Sequence, residues 1–298
     1  MQSKAALALA LDRVWCVDWG FAERYLQALQ MIPADAMLRE PGIDAYRASR
    51  LDPNAFTAGA VVPQSDTRRP YAIVDGVAII ELTGPLLQSV PSLEEGTSTI
   101  FARRQVRMAS VDDAVKEIVL AINSPGGQAA GLGPLADDVR EASRLKPTVA
   151  YVSSICASAA YWVASQCGSI VASPYASVGS IGVYTLLIDD VRFWDGVGVG
   201  WTLVTSGGIK GKWATGQPVD DELVEDAQRE VDAVMSDFVR AVASGRGFVE
   251  AEVRKMGTGH CWRAEEAMRL GLVDGIGSED DVLSGLMAAR AATETMKT

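Results

Sequence analysis

The segment from Ser153 to Val183, SSICASAAYWVASQCGSIVASPYASVGSIGV, runs for 31 residues without a Lys, Arg, Asp or Glu. A stretch of that length without charge is not expected to be a solvated face, because charged side chains crowd protein surfaces. Its density of Ala, Ser and Gly lets backbone elements, or a ligand, approach one another closely. The regions on both sides read as ordinary α/β protein. Whatever the chain does, this segment is expected to be at its centre.

Taken in order, residues 1–38 have Leu7, Leu11 and Val14, then Phe21, Tyr25, Leu26 and Leu29, at helical spacing. Pro41, Pro53, Pro63 and Pro70 punctuate a weakly patterned connector. Residues 1–70 are therefore expected to form a helical N-terminal extension and linker, 71–286 the folded domain and 287–298 a tail. From Tyr71, two apolar runs flank Asp75-Gly76, a hairpin signal. A helix over Thr99–Ala114, a strand over Ile118–Ile122, a helix over Leu132–Ser143 and a strand over Thr148–Val152 follow. That order is the sequence form of βαβ units around a parallel sheet. Further strands are expected at Ser169–Ala172 and Thr202–Thr205. The clearest helix spans Asp220–Val242, with Leu223, Ala227, Val231, Val234, Phe238 and Val242 on one stripe. Helices at Ala264–Leu270 and from about Asp280 complete the domain.

The composition narrows the function. The chain has 298 residues, 48% of them hydrophobic, which suffices for a full core. A net charge of −11 argues against nucleic acid, whose binding needs a basic stripe. Cys16, Cys156, Cys167 and Cys261 show no CxxC pairing, and His260 is the sole histidine, so neither a disulfide framework nor a zinc site is expected. The apolar run Ala5–Leu11 suits an amphipathic helix better than a secretion signal, and no window is long and apolar enough to span a membrane. The expected setting is cytoplasmic, without cofactor or metal.

Three places carry residues suited to chemistry. Ser124-Pro125-Gly126-Gly127 follows an apolar strand, and amides at a Gly-Gly turn can converge on an anion, although plain βα loops have the same composition. Ser158 precedes helix-forming residues after a strand, where a nucleophilic hydroxyl would be exposed beside backbone donors. Ser153, Ser154 and Ser165 share its composition, so composition does not choose among them. A base for such a serine could be His260, but it lies in GTGHCWRAEEA, apart from these motifs. A lysine desolvated by apolar neighbours is the other option. Lys210 and Lys212 both lie in SGGIKGKW, and spacing alone leaves them equivalent.

Together, SPGG, SAAYWVAS, SVGSIGV, SGGIKGKW and GLVDGIG occur once each and in that order. In this the chain resembles the signal peptide peptidase A family of serine peptidases, and more closely its short phage-type members, which process capsid and scaffold proteins. The resemblance covers about Tyr71–Leu286. It implies a Clp-protease/crotonase-like α/β fold of spiralling βαβ units and a Ser–Lys dyad. Ser158 would be the nucleophile, Lys210 the base, Ser180 a serine that positions the lysine, and Gly126 and Gly127 the oxyanion turn. The implied partners are protein or peptide substrates, among them scaffold or capsid proteins in a host cytoplasm or assembling virion, and further copies of the chain in a ring-like homo-oligomer. The site's small apolar surroundings suit a small apolar P1 residue. The chain departs from many members in having Ala159-Ala160 after the serine and Cys156 close before it.

Other readings are a signal-peptide-degrading peptidase of the same family, a crotonase-like acyl-CoA enzyme, and a non-catalytic subunit of the same fold. The second needs acidic catalytic residues where this chain has Ser and Lys. The third is opposed by the complete Ser–Lys pair.

Overall fold

The computed structural model describes residues 69–89 and 96–295, and the backbone of 15–17. The chain forms β1 (Trp15–Val17), β2 (Ala72–Val74), β3 (Val77–Thr83), β4 (Leu86–Leu87), β5 (Thr97–Ser98) and α1 (Thr99–Val111). It continues through β6 (Glu117–Ser124), β7 (Gly126–Gln128), α2 (Leu132–Leu145), β8 (Thr148–Ala157), α3 (Ala159–Ala164), β9 (Ser169–Ala172) and β10 (Ser177–Gly179). After these come α4 (Val191–Gly196), α5 (Asp221–Arg246), α6 (Glu250–Met256), β11 (Cys261–Arg263), α7 (Ala264–Arg269), β12 (Gly275–Ile276) and α8 (Glu279–Thr295).

The hairpin expected at Asp75-Gly76 joins β2 to β3, with Val74 opposite Val77. Both turn residues have positive φ, 48° and 83°, as a two-residue loop matched to strand twist requires. β3, β6 and β8 then run parallel, linked by α1 and α2. Their side chains alternate with the strand period of two. Ile80, Leu82, Ile118, Leu120, Ile122, Ala150 and Val152 face the main core, whereas Val77, Val119, Val149 and Tyr151 meet Val282 of α8 on the other face. A parallel sheet covered on both faces explains why these strands read as nearly continuous apolar runs.

β8 is the hinge of the architecture. Its first half, Val149–Val152, pairs with β9, and its last three residues, Ile155–Ala157, pair with β10. A bulge between Ile122 and Ser124 shifts the partner register on β6. β8 therefore extends to Ala157, beyond the expected end at Val152. The polar pair Ser153-Ser154, which read as a strand end, is exposed at the changeover between the two halves. The uncharged segment is accordingly not buried throughout, since Tyr175 is also exposed.

β1, β7, β4 and β5 make a second, small sheet. Thr97 ties it to the large one, its Oγ1 donating to the Thr83 carbonyl at 2.8 Å and accepting from the Thr83 amide at 2.9 Å. Trp15–Val17 is a strand where a helix was expected. Its Trp, Cys and Val are strand-compatible, and pairing with β7 overrides the local helical spacing. The remainder of the expected N-terminal helices and the connector up to residue 68 lie outside the described residues. Thr202–Thr205 is exposed and forms no strand: although Thr and Val favour strands, it pairs with no strand among the described residues.

α5 matches its expected start. Asp220 caps it, accepting from the Leu223 amide at 2.9 Å, and it ends at Gly247, which has φ 71°. Its buried face is Leu223, Ala227, Phe238, Val239, Val242 and Ala243, and Phe238 stacks on Trp162 of α3 at 4.9 Å. Arg246, at the end of α5, bonds Asp274 at 2.6 and 2.8 Å, while Asp274 also accepts from the Ile170 amide at 2.7 Å. These contacts and the Tyr161 hydroxyl, donating to the Leu272 carbonyl at 2.9 Å, hold α3 rigidly beneath the end of β8.

Candidate active site

Ser158 sits at the turn between β8 and α3 with φ 52° and ψ −117°. An L-residue rarely adopts such a conformation, and it costs about 1–3 kcal/mol unless the surroundings enforce it. Here they do. The Ser158 amide donates to the Gly179 carbonyl at 2.7 Å, and its carbonyl accepts from the Trp162 amide at 3.0 Å. A sharp, strained strand-to-helix turn is a recurring way to present a nucleophilic serine. The Ser158 hydroxyl is buried and donates to the Gly182 carbonyl at 3.3 Å.

Ser180 lies alongside. β10 runs parallel to β8 with Gly179 opposite Ala157, so Ser180 and Ser158 are the next residues along the two strands. Ser180 has φ 51° and is buried, and its amide donates to the His260 carbonyl at 2.7 Å. Gly179, with φ 129°, permits this close packing: a Cβ there would lie 2.6 Å from the Trp262 ring and 2.8 Å from the His260 carbonyl oxygen.

The Gly-Gly turn is the third component. Ser124 is the β6 partner of Cys156, two residues before Ser158, so β7 begins beside the same turn. Gly126 has φ 104°, and its amide donates to the Ser124 hydroxyl at 3.2 Å. Gly127 packs so tightly on β4 that a Cβ would stand 1.9 Å from the Leu86 carbonyl oxygen. The serine turn, its neighbour on β10 and the glycine turn thus meet at one end of β8.

The two lysines differ in their surroundings. Lys210 is exposed, in a turn where its amide donates to the Gly207 carbonyl at 3.2 Å, and its amine has no hydrogen-bond partner among the described residues. No hydrogen bond joins Lys210 to Ser158 among the described residues. Lys212 is committed differently, its amine bonded to Asp220 at 2.7 Å and Glu222 at 2.5 Å. The hydrogen bonds to these two carboxylates raise its pKa above the usual lysine value, which makes it a poor proton acceptor. That distinction was invisible in SGGIKGKW, because Asp220 and Glu222 belong to the following helix.

His260 is exposed, with its ring edge-on to Trp262 at 5.2 Å, and its backbone carbonyl accepts from the Ser180 amide. Cys156 is fully buried, and burial pushes its thiol well above the usual range, so it is not an activated thiolate. No group of three His, Cys, Asp or Glu side chains is arranged to hold a metal among the described residues. Nor is any described helix long and apolar enough to cross a membrane.

Comparison with known proteins decides the family. The peptidase family S49 model matches residues 140–293, which include Ser158, Ser180 and Lys210. The chain belongs to peptidase family S49. Its βαβ architecture is the Clp-protease/crotonase-like fold that the motif order implied. A Methanocaldococcus jannaschii protein provisionally named a protease is 35% identical over 175 residues, covering 59% of this chain and 56% of that one. Head-tail preconnector protein GP5 of Enterobacteria phage P21 is 30% identical over 227 residues, 74% of this chain and 44% of its own. Capsid assembly protease C of Escherichia phage lambda is 26% identical over 232 residues, 76% of this chain and 52% of its own. The chain spans about half the length of these relatives.

Proposed function

We propose that this S49 protein is a serine endopeptidase in which Ser158 attacks the substrate carbonyl and Lys210 accepts its proton. The observation that carries the reading is the strained turn at Ser158, enforced by Gly179 and set beside Ser180 and the glycine turn. In the proposed reaction neutral Lys210 takes the Ser158 hydroxyl proton as the oxygen bonds to the peptide carbonyl carbon. Ser180 positions the amine, and the backbone amides of the Gly126–Gly127 turn stabilise the oxyanion, the Gly126 amide exchanging its bond to the Ser124 hydroxyl for one to the oxyanion. The protonated lysine then returns its proton to the leaving amine, and water hydrolyses the acyl-serine by the reverse relay.

The exposed position of Lys210 bears on how the site is completed. The segment around it exposes Ile188, Phe193, Trp201, Val204 and Trp213. Apolar side chains clustered in this way suit coverage by another protein surface. We assign that cover to a second copy of the chain. Such packing would bury Lys210 against the uncharged surroundings of Ser158, away from water, as a lysine base requires.

The substrates proposed are scaffold or capsid-type proteins, in keeping with the similarity to capsid assembly protease C of phage lambda. The test is mass spectrometry of cleavage products from fluorescein-labelled casein and from proteins co-expressed from neighbouring genes. Cleavage by the wild type and by Lys212→Ala, with none by Ser158→Ala or Lys210→Ala, is expected. Unchanged cleavage by Ser158→Ala would overturn the assignment.

A further inference from the structure

We infer that Trp15–Val17 occupies the strand position an extended substrate takes beside Ser158, so that the chain carries its own competitor for the site. The inference rests on the peptidase reading of Ser158 given above. β7 has two edges. One is held by β4, with Leu86 opposite Gly127, and the other by β1, with Trp15, Cys16 and Val17 antiparallel to Gln128, Gly127 and Gly126. Among the described residues β1 is the end of its sheet, so removing it would leave β7 one open edge.

β7 itself adjoins the nucleophile. β7 begins two residues after Ser124, whose partner Cys156 is two residues before Ser158. An extended peptide recognised by β-strand addition uses the free N–H and C=O groups of a sheet edge. On β7 the groups available for this are those paired with β1, so the two occupants exclude each other.

The pairing is suited to exchange. It spans three residues, too short to be stable as an independent unit. Val17 and β7 belong to one chain, so the contact is intramolecular and an incoming peptide must outcompete it. A segment held in this way suppresses weak, adventitious peptides and yields to a substrate that binds more tightly or is delivered at high local concentration.

The test uses the full chain. Antiparallel pairs alternate between hydrogen-bonded and non-bonded positions, so prolines at two successive residues must remove one ladder N–H. In a Ser158→Ala background, Cys16→Pro with Val17→Pro is compared with the parent for binding of a fluorescein-labelled peptide of residues 11–21, followed by anisotropy. At least tenfold tighter binding to the proline variant is expected. With Ser158 intact, the proline variant should show a severalfold lower KM for labelled casein at unchanged kcat. Equal peptide binding in both backgrounds, with a lower Tm in the proline variant, would make β1 an ordinary structural strand and overturn the inference. If the proline variant does not fold, hydrogen exchange at Trp15–Val17 in Ser158→Ala decides, with acceleration by excess peptide expected and no change overturning it. Absence of casein cleavage by every variant would instead remove the peptidase reading, while the peptide binding still reports whether β1 and an added strand compete.

Discussion

Ser158 and Ser180 stand side by side one residue beyond the Ala157–Gly179 pair of two parallel strands, both with φ near +50°. Two adjacent non-glycine residues on neighbouring strands in this conformation store strain that the surrounding hydrogen bonds must offset. Replacing Ser158 with Gly should relieve part of it. We expect Ser158→Gly to gain about 1 kcal/mol of stability, because relief of strain exceeds the added entropy of the unfolded chain. Ser158→Ala should stay within about 0.5 kcal/mol of the parent. Denaturant melts of the two variants check this, and equal stabilities would show that the turn is unstrained.

Ser180 is predicted to matter for rate more than for folding. Ser180→Ala keeps the backbone bond to His260 and removes only the hydroxyl. Its kcat should fall about 10–100-fold, the range for a displaced catalytic partner, with KM little changed. A full-rate Ser180→Ala would remove Ser180 from the mechanism.

Close packing at Gly127 has a matched control in Gly133. A Cβ at Gly127 would meet the Leu86 carbonyl oxygen at 1.9 Å, whereas a Cβ at Gly133 in α2 has nothing within 4 Å. Gly127→Ala should cost more than about 3 kcal/mol by forcing the two strands apart. Gly133→Ala should be neutral or stabilising by up to about 0.5 kcal/mol through helix propensity. Thermal melts compare them directly.

Arg246 and Asp274 form a partly buried pair that anchors α5 behind α3. Burial works to raise the Asp274 pKa, but the Arg246 hydrogen bond and the Ile170 amide outweigh it and hold the carboxyl below the usual range. The resulting stability is present above about pH 4 and is lost as the pH falls through the depressed value. Arg246→Ala should lose about 2–3 kcal/mol at pH 7 and narrow this acid sensitivity, as read from melts across pH. A loss under 0.5 kcal/mol would place the pair among inert surface contacts.

Glu279, at the start of α8, has the opposite linkage. Burial pushes its pKa up to about 7, with Asp280 and Glu81 adding, and its Oε1 is buried with no hydrogen-bond partner among the described residues. Stability linked to its protonated form is fully present below about pH 4.3 and lost as the pH rises through about 7. Glu279→Gln should therefore match the wild type at pH 4 and exceed it at pH 8 by about 1 kcal/mol, after discounting for the solvent that reaches the group.

Much of this was legible in the sequence because it depends on local chemistry. The Asp75-Gly76 turn, the apolar strands and the capped α5 announce themselves through backbone preference and periodicity. What was hidden depends on distant partners. β1 exists because β7 offers an edge, β8 runs past Ser153-Ser154 because β10 receives its end, and Thr202–Thr205 pairs with no strand among the described residues. At the site, the serine turn and its partner glycine lie in the uncharged segment itself. The role of Lys212 depended on carboxylates in the next helix, and Lys210 is exposed on a single chain.

The most direct measurement is the mass of the intact protein after prolonged incubation with a fluorophosphonate, followed by peptide mapping. The account predicts one adduct, on Ser158, absent in Ser158→Ala and Lys210→Ala and retained in Lys212→Ala. An adduct on another residue, or one on Ser158 that forms equally fast in Lys210→Ala, would contradict the Ser158–Lys210 pair.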